Sequence, residues 1–400
     1  MKYFFSRLRR VKFNQIIQIW KLPVAFVVAP IYRLRHNKLW IVSEAPNEAR
    51  DNGYWFFQFL REKHPEQECV YAIQKSSHDF SRVAEIGKTV EYGSLLHWIM
   101  YLASEVQISS QKAGNPNAAI FFFLEVYGFL KNRRLFLQHG VIINDLKWLY
   151  YDVTKMSGFV CGALPEYEYI RERFGYPASA VRYTGLCRFD GLHDFATDPE
   201  LILIMPTWRE WIADEDYRLL KYEGTTEIPK TGYFRHWIAF LQDSELAEIA
   251  ATYHVRFIFF PHREMQKYMQ YFPESTDYLE IADGHKYDVQ DLLKRAALMI
   301  TDYSSVNFDM LYMKKPVIYY QFDYEQFREG QYAEGYFHYQ DNPFAHSFRN
   351  APEVFAELRE YIGRGYKVSE QYLKAHSEYF PLFDQNNCER VYQVAEQLSR

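Results

Sequence analysis

Short apolar runs separated by polar stretches of helix length recur along this chain, and that alternation restricts it to a narrow set of folds. The runs at 39–43 (LWIVS), 69–73 (CVYAI), 90–92, 106–109 (VQIS) and 134–138 (RLFLQ) read as strands, with helices at 52–63 and 95–103 between them. Strand–helix alternation of this kind builds a parallel sheet, whose strands are buried on both faces and so lack polar alternation. The pattern then restarts. Segments 158–161, 181–184, 201–205 (LILIM), 256–260 (RFIFF), 298–301 (LMIT) and 316–320 read as strands. Helices fall at 166–174, 245–253, 289–296 and about 304–313. With a junction near 185–200, the chain reads as an α/β protein of two Rossmann-like domains facing a cleft, residues 38–190 and 191–400. A length of 400 residues accommodates two such domains.

Residues 1–37 stand apart. No acidic residue precedes Glu44, while Lys2, Arg7, Arg9, Arg10, Lys12, Lys21, Arg33, Arg35 and Lys38 are all basic. The apolar stretch 16–32 is interrupted by Lys21, Pro23 and Pro30. A spanning helix needs about 20 apolar residues, so a transmembrane helix is not expected here. Nor is there a small-residue cleavage site. Two readings stand. One is a basic amphipathic segment at the bilayer interface, its cations on anionic headgroups and Phe4, Phe5, Phe13, Ile16, Ile17 and Trp20 in the acyl boundary. The other is a first helix packed on the core. The expectation adopted is the membrane-surface segment.

A net charge of −5 excludes an extended basic face for nucleic acid. Hydrophobic residues make up 48% of the chain and charged residues 24%, which excludes a disordered chain. The four cysteines, Cys69, Cys161, Cys187 and Cys388, form no CxxC pair and no zinc-ligand spacing. They suit a reducing, cytoplasmic setting.

Four segments carry candidate chemistry. In 298–313 a buried strand ends at Thr301–Asp302, and Ser304 and Ser305 stand where a helix begins. The serines either cradle a diphosphate at the helix N-terminus or simply cap it. Asp309, a turn further on, points to solvent or to the cleft. In 133–147 His139 follows a strand and Gly140 allows a tight turn after it. An imidazole there is either a general base, its ordinary pKa being ~6.5, or a structural residue. In 205–210 (MPTWRE), Thr207, Trp208 and Arg209 follow a strand stopped by Pro206. In 259–264 (FFPHRE), His262 and Arg263 follow another. Arginine suits bidentate phosphate recognition, and a solvated loop is the alternative for both segments. These residues recur at strand ends along one sheet edge, where open α/β sheets bind ligands.

Together the segments resemble the CDP-glycerol glycerophosphotransferase family of teichoic-acid and capsule biosynthesis. The resemblance rests on Gln138-His139-Gly140 with Lys147 downstream, and on Pro206-Thr207-Trp208-Arg209. It rests further on His262 after a strand and on the long run Asp288, Asp291-Leu292-Leu293, 300–305, Phe308-Asp309 and 315–320, with Asp323 following. Where the family commonly has W-H-G-T-P, this chain has Gln138-His139-Gly140-Val141-Ile142, and FPHRE departs from the family's R-x-H form.

The resemblance implies a GT-B fold and an enzyme moving a polyol phosphate from a cytidine-diphosphate donor to a hydroxyl of a lipid-linked polymer. It implies His139 and His262 as catalytic residues. Thr207, Trp208, Arg209, Arg263, Thr301, Asp302, Ser304, Ser305 and Asp309 would bind the donor, with Gly140 and Lys147 on the acceptor side. His139 would take the proton of the attacking hydroxyl as cytidine monophosphate leaves. No cofactor or protein-bound metal is expected, since no DxD motif is present. Partners would be the CDP-polyol, the polymer and the cytoplasmic membrane surface. Ribitol-phosphate transfer, sugar transfer on the same fold and a non-catalytic scaffold are the alternatives.

Overall fold

The computed structural model describes residues 13–130, 132–284 and 286–399. The chain forms two compact units. One comprises residues up to 141, 147–191 and 384–400; the other comprises 142–146 and 192–383.

Within the first unit, seven strands pair in parallel throughout. Their spatial order is Thr89–Glu91, Cys69–Ile73, Trp40–Ser43, Val106–Ser109, Arg134–Phe136, Gly158–Cys161 and Val181–Tyr183. Central strands such as Trp40–Ser43 and Cys69–Ile73 are buried at every position, which explains their unbroken apolar sequence. The order runs outward from Trp40–Ser43 in one direction and from Val106–Ser109 in the other. That reversal leaves a crevice at the strands' carboxyl ends, the place where such sheets bind ligands.

The second unit repeats the scheme with six parallel strands. Their order is Leu279–Ile281, Arg256–Phe259, Asp198–Ile204, Ala296–Thr301, Val317–Tyr320 and Ser347–Phe348. The switch point falls between Asp198–Ile204 and Ala296–Thr301. A core of Ile202, Trp211, Phe234, Trp237, Phe240, Phe257, Phe259, Ile300, Ile318 and Phe355 fills one face of this sheet.

Two expectations are corrected. Residues 384–400 belong with the first unit, not with a second domain running to 400. Helix Asn387–Ser399 is held there by Asp190, which accepts hydrogen bonds from the Asn387 and Cys388 backbone N–H groups at 2.9 and 2.8 Å. Trp40 Nε1 also donates to Ser399 Oγ at 3.1 Å. Gly185 is required for this return: its φ is +75°, and a Cβ there would lie 1.8 Å from Asn387 Oδ1.

The second correction concerns the N-terminal segment. The chain is helical through Phe13–Ile17, Gln18–Trp20 and Lys21–Arg35 despite Lys21, Pro23 and Pro30. Pro23 falls in the first turn of the last segment, where no N–H is needed, and Lys21 Nζ reaches Gly93 O at 2.7 Å. The stretch Gln15–Arg35, 21 residues, is long and apolar enough to cross a membrane by length and composition. Its Ala25 and Ala29 are buried, Ala25 in the same core cluster as Trp98 and Tyr101 of helix Leu95–Ala103. Ile16, Ile17, Ile19, Trp20, Phe26, Val27, Ile31 and Leu34 remain exposed. Lys2, Arg7, Arg9, Arg10, Lys12, Phe4 and Phe5, assigned to the same segment, lie outside the described residues.

Candidate active site

In the first unit, chemistry gathers at the switch point. Glu44 directly follows strand Trp40–Ser43 and is buried. It accepts hydrogen bonds from the N–H groups of Arg50 (2.9 Å), Asp51 (3.1 Å) and Tyr54 (2.6 Å), folding the turn that starts helix Asn52–Lys63. Burial, and then the nearby Asp51 charge, push the Glu44 carboxyl up to about 8. Asp51 is the N-cap of that helix and accepts from Asn52 N at 2.8 Å. Ser110, just past strand Val106–Ser109, accepts from Gly53 N at 2.7 Å and ties the two strand ends together.

His139 arrives from the neighbouring strand end. Gln138 before it is a non-glycine residue with φ +64°, a conformation that needs support from its surroundings. The support is specific. Gln138 Nε2 donates to Glu166 Oε1 at 3.0 Å, and Asn52 Nδ2 donates to Gln138 O at 2.9 Å. The kink turns His139 outward, with 70% of its side chain exposed. Its Nδ1 lies 2.6 Å from Asp51 Oδ2. Arg188 completes the group: Nη1 donates to Asp51 Oδ1 at 2.8 Å and to His139 O at 2.9 Å, and its backbone N–H donates to Asn52 Oδ1 at 3.0 Å.

An ionised Asp51 only accepts hydrogen bonds, so Nδ1 of His139 carries the proton and Nε2 is left as the basic nitrogen. The Asp51 charge raises the His139 pKa above its ordinary value, outweighing the opposing charge of Arg188. Burial opposes ionisation of Asp51, but His139 and Arg188 outweigh it and hold that carboxyl below its ordinary value. Gly140 is buried beside His139. Lys147 opens the short helical turn Lys147–Leu149 and is exposed. Its ammonium makes no ion pair among the described residues, and nothing ties it to the His139 group.

In the second unit the Pro206–Arg209 and Asp302–Ser305 segments meet, because strands Asp198–Ile204 and Ala296–Thr301 are neighbours. Thr207 N donates to Asp302 Oδ1 at 2.7 Å, and Thr301 Oγ1 donates to Met205 O at 2.7 Å. Gln321 Nε2 donates to Asp302 O at 3.0 Å.

Several expected donor ligands are corrected here. Arg209 has 0% exposure. Its Nε and Nη2 grip Asp323 at 2.7 and 2.9 Å, Nη2 also lies 3.0 Å from Asp302 Oδ2, and Nη1 donates to Thr207 O at 2.9 Å. The rings of Tyr303 and Phe327 sit 5.1 Å from its Cζ. Every direction around the guanidinium is taken by protein groups, so in this structure Arg209 shapes the loop. Asp302 and Thr301 are buried within the same network. Asp309 is buried in helix Asn307–Tyr312 and does not face solvent.

Ser304 and Ser305 are half-buried, and neither is the helix cap. The helix begins at Asn307 with Val306 at the N-cap. Asn307 Nδ2 takes the Ser304 carbonyl at 2.6 Å, while Asn307 N and Phe308 N bond back to Ser304 O and Ser305 O at 3.2 and 3.1 Å. The preceding turn is therefore wound one step tighter than an α-helix. The two hydroxyls bond to no other described residue, and the buried Thr207 Oγ1 is also without a partner among those residues.

Trp208 and His262 stack, ring centroids 5.8 Å apart and planes 12° from parallel. His262 Nδ1 accepts from Glu264 N at 3.2 Å, so in the neutral ring Nε2 carries the proton and acts as a donor. That suits an anionic oxygen better than base catalysis. Arg263 is exposed and lies 3.5 Å from Glu264.

Sequence reasoning missed Glu44, Asp51, Asn52 and Arg188. One signal was available: Asp51 stands before a helix that follows the first strand, as an N-cap does. Arg188 gives no such local sign.

Comparison with known proteins fits this frame. The family described as CDP-Glycerol:Poly(glycerophosphate) glycerophosphotransferase matches residues 187–397, just over half of the chain. The minor teichoic acid biosynthesis protein GgaB of Bacillus subtilis (strain 168) is 30% identical over 385 residues, 94% of this chain. The chain spans 41% of that protein's length. The wall teichoic acid polymerase TagF shares the fold, with a TM-score of 0.65 at 15% identity over 97% of this chain and 98% of that one. A TagF variant soaked with CDPG superposes with a TM-score of 0.62 at 14% identity, over 97% and 98% of the two chains. The match across 187–397, which takes in every element of the second unit's switch point, makes this chain a member of the CDP-glycerol:poly(glycerophosphate) glycerophosphotransferase family.

Proposed function

We propose that the chain transfers glycerol phosphate, or another polyol phosphate, from a CDP-activated donor to a hydroxyl of a lipid-linked cell-wall or capsule polymer, releasing CMP at the cytoplasmic membrane surface. The observation that carries the reading is the 2.6 Å pairing of His139 with Asp51 at a strand end of a member of this family. An acceptor hydroxyl gives its proton to Nε2 of His139 as its oxygen attacks the β-phosphorus. The bond from that phosphorus to the bridging oxygen breaks, and CMP leaves with the electron pair. Such a base contributes about 10²–10⁴-fold. Asp51 steadies the imidazolium that forms.

The donor role of the second unit is supported by the unpartnered hydroxyls of Ser304, Ser305 and Thr207, by the Nε2–H of His262 and by exposed Arg263. These are donors suited to phosphate oxygens, which gain charge as the leaving group departs. Attachment at the membrane surface is supported by the exposed apolar side of helix Lys21–Arg35 with Arg33 and Arg35 in its last turn. Because its alanine side packs on the first unit, the helix suits a place along the interface more than across it.

The test is mass spectrometry of a lipid-linked glycerol-phosphate acceptor incubated with CDP-glycerol, CDP-ribitol or UDP-glucose. Growth by polyol-phosphate increments with equimolar CMP is expected. Growth by hexose increments, or none with any donor, overturns the proposal.

A further inference from the structure

Asp51 is the N-cap of helix Asn52–Lys63, yet most of the capping is done by other residues. An N-cap aspartate ordinarily accepts hydrogen bonds from the second or third N–H of its helix, here those of Gly53 and Tyr54. Both go elsewhere. Gly53 N donates to Ser110 Oγ at 2.7 Å, and Tyr54 N donates to Glu44 Oε1 at 2.6 Å. Asp51 Oδ1 takes only the first N–H, that of Asn52, at 2.8 Å, together with Arg188 Nη1 at 2.8 Å. Its Oδ2 is left for His139 Nδ1, 2.6 Å away.

The two stand-ins are part of the first unit's core. Glu44 and Ser110 directly follow the paired strands Trp40–Ser43 and Val106–Ser109, and both are buried. Ser110 N donates to Ser43 O at 3.3 Å. Glu44 also accepts from Arg50 N and Asp51 N at 2.9 and 3.1 Å, which fixes the backbone leading into Asp51. Gly53 leaves the room this needs: a Cβ there would lie 2.9 Å from Glu44 Cγ and 3.1 Å from Ser43 O. The first N–H groups of a helix have no partner within it and must find an acceptor. Without Glu44 or Ser110, the acceptor standing at the usual capping position is the Asp51 carboxylate, and a carboxylate drawn onto Gly53 N or Tyr54 N is drawn off His139.

We propose that Glu44 and Ser110 are positioning residues for the base: by capping the helix in place of Asp51, they free its Oδ2 to hold His139 Nδ1. The proposal rests on the transferase reading and deepens it by naming what sets the proton acceptor. Besides Asp51, the charged and titratable groups acting on His139 are Arg188 and Glu44, with Tyr71, Cys187 and the Asp79–Arg50 pair further out. Ser110 carries no charge, so its replacement reaches the imidazole only through the placement of Asp51. The test is NMR titration of the full chain carrying isotope-labelled histidine, with His139 identified by the signal that His139→Ala removes. In the parent the neutral ring is expected to hold its proton on Nδ1. Ser110→Ala and Glu44→Ala should each abolish that preference and lower the His139 pKa by at least half of the fall that Asp51→Asn causes. Adding Ser110→Ala to Asp51→Asn should change nothing further, because both act through one carboxylate. CMP release should lose about tenfold or more from its high-pH plateau and begin its rise at lower pH, while the thermal shift given by CDP-glycerol stays as in the parent.

A His139 ring that keeps its Nδ1 proton and its parental pKa in Ser110→Ala overturns the proposal. So does a further fall when Ser110→Ala is added to Asp51→Asn. Should Ser110→Ala fail to fold, the tautomer of His139 in Glu44→Ala decides in its place. If the variants shift His139 as expected while the unaltered chain releases no CMP from CDP-glycerol with a lipid-linked glycerol-phosphate acceptor, the positioning stands and the transferase reading falls.

Discussion

His139 owes its chemistry to side chains far from it in sequence. Asp51 fixes which nitrogen is basic, and Arg188 and Asn52 hold the backbone that presents the ring. His139→Ala is expected to cut transfer by about 10²–10⁴-fold with the fold intact, read as CMP release. The pH dependence follows from the sign of the Asp51 effect. Asp51 raises the His139 pKa, and the base acts only when neutral, so the rate rises with pH through that elevated pKa. Asp51→Asn is expected to move the rise to lower pH while lowering the plateau; a rise that stays in place removes Asp51 from the mechanism. Arg209 belongs to another class of residue. Its replacement by alanine leaves Asp302 and Asp323 buried and unpaired, which costs about 3–5 kcal/mol. Denaturant titration should record that loss, whereas Ser305→Ala should leave the midpoint unchanged and weaken CDP-glycerol binding by calorimetry. Parts of the long signature are architectural in the same way. Lys315 is buried and donates to Leu293 O and Ala296 O at 3.0 and 2.8 Å, and burial pushes its ammonium down to about 7.

Two terminal helices act as elements: the membrane-surface reading of the first came from its local sequence, whereas the docking of the last did not. The N-terminal helix offers two alanines to the protein and larger apolar residues elsewhere on its surface. Changing Val27, Ile31 and Leu34 together to glutamate is expected to release the chain from anionic vesicles without lowering its melting temperature. Continued co-sedimentation would assign membrane binding to other residues. The C-terminal helix closes the first unit through Asp190, Trp40 and the glycine turn at 185. Gly185→Ala meets both an unfavourable φ and a 1.8 Å contact with Asn387 Oδ1, so it is expected to destabilise that unit by roughly 1–3 kcal/mol. Local hydrogen exchange in strands Trp40–Ser43 and Gly158–Cys161 would report it.

At the scale of the whole molecule, the proposed general base and the groups proposed to bind the donor lie in separate compact units, each with its own switch point. His139→Ala should therefore retain the thermal shift that CDP-glycerol produces, because ligand stabilisation depends only on binding to the native state. Loss of that shift in a well-folded variant would break the division of labour between the units. The strand runs, the two-fold repetition of the sheet and the strand-end positions of His139, Thr207, His262 and Ser304 were legible in the sequence. Burial on both faces, and the turn needed at each strand's carboxyl end, write themselves into local composition. The helices at 118–126, 232–241 and 387–399 were not, since apolar or mixed stretches of that length carry no decisive period.

What the sequence alone determined, then, is the set of elements and the segments that bear reactive groups, because those depend on neighbours within a few residues. Tertiary structure decided which groups meet. It brought Asp51 and Arg188 to His139, turned Arg209 and Asp302 inward as a buried pair, started the helix after the serines at Asn307, and returned residues 384–400 to the first unit. Those outcomes depend on contacts between residues as far apart as Trp40 and Ser399, and on whether a charge ends in water or against a counter-charge. No local pattern encodes either.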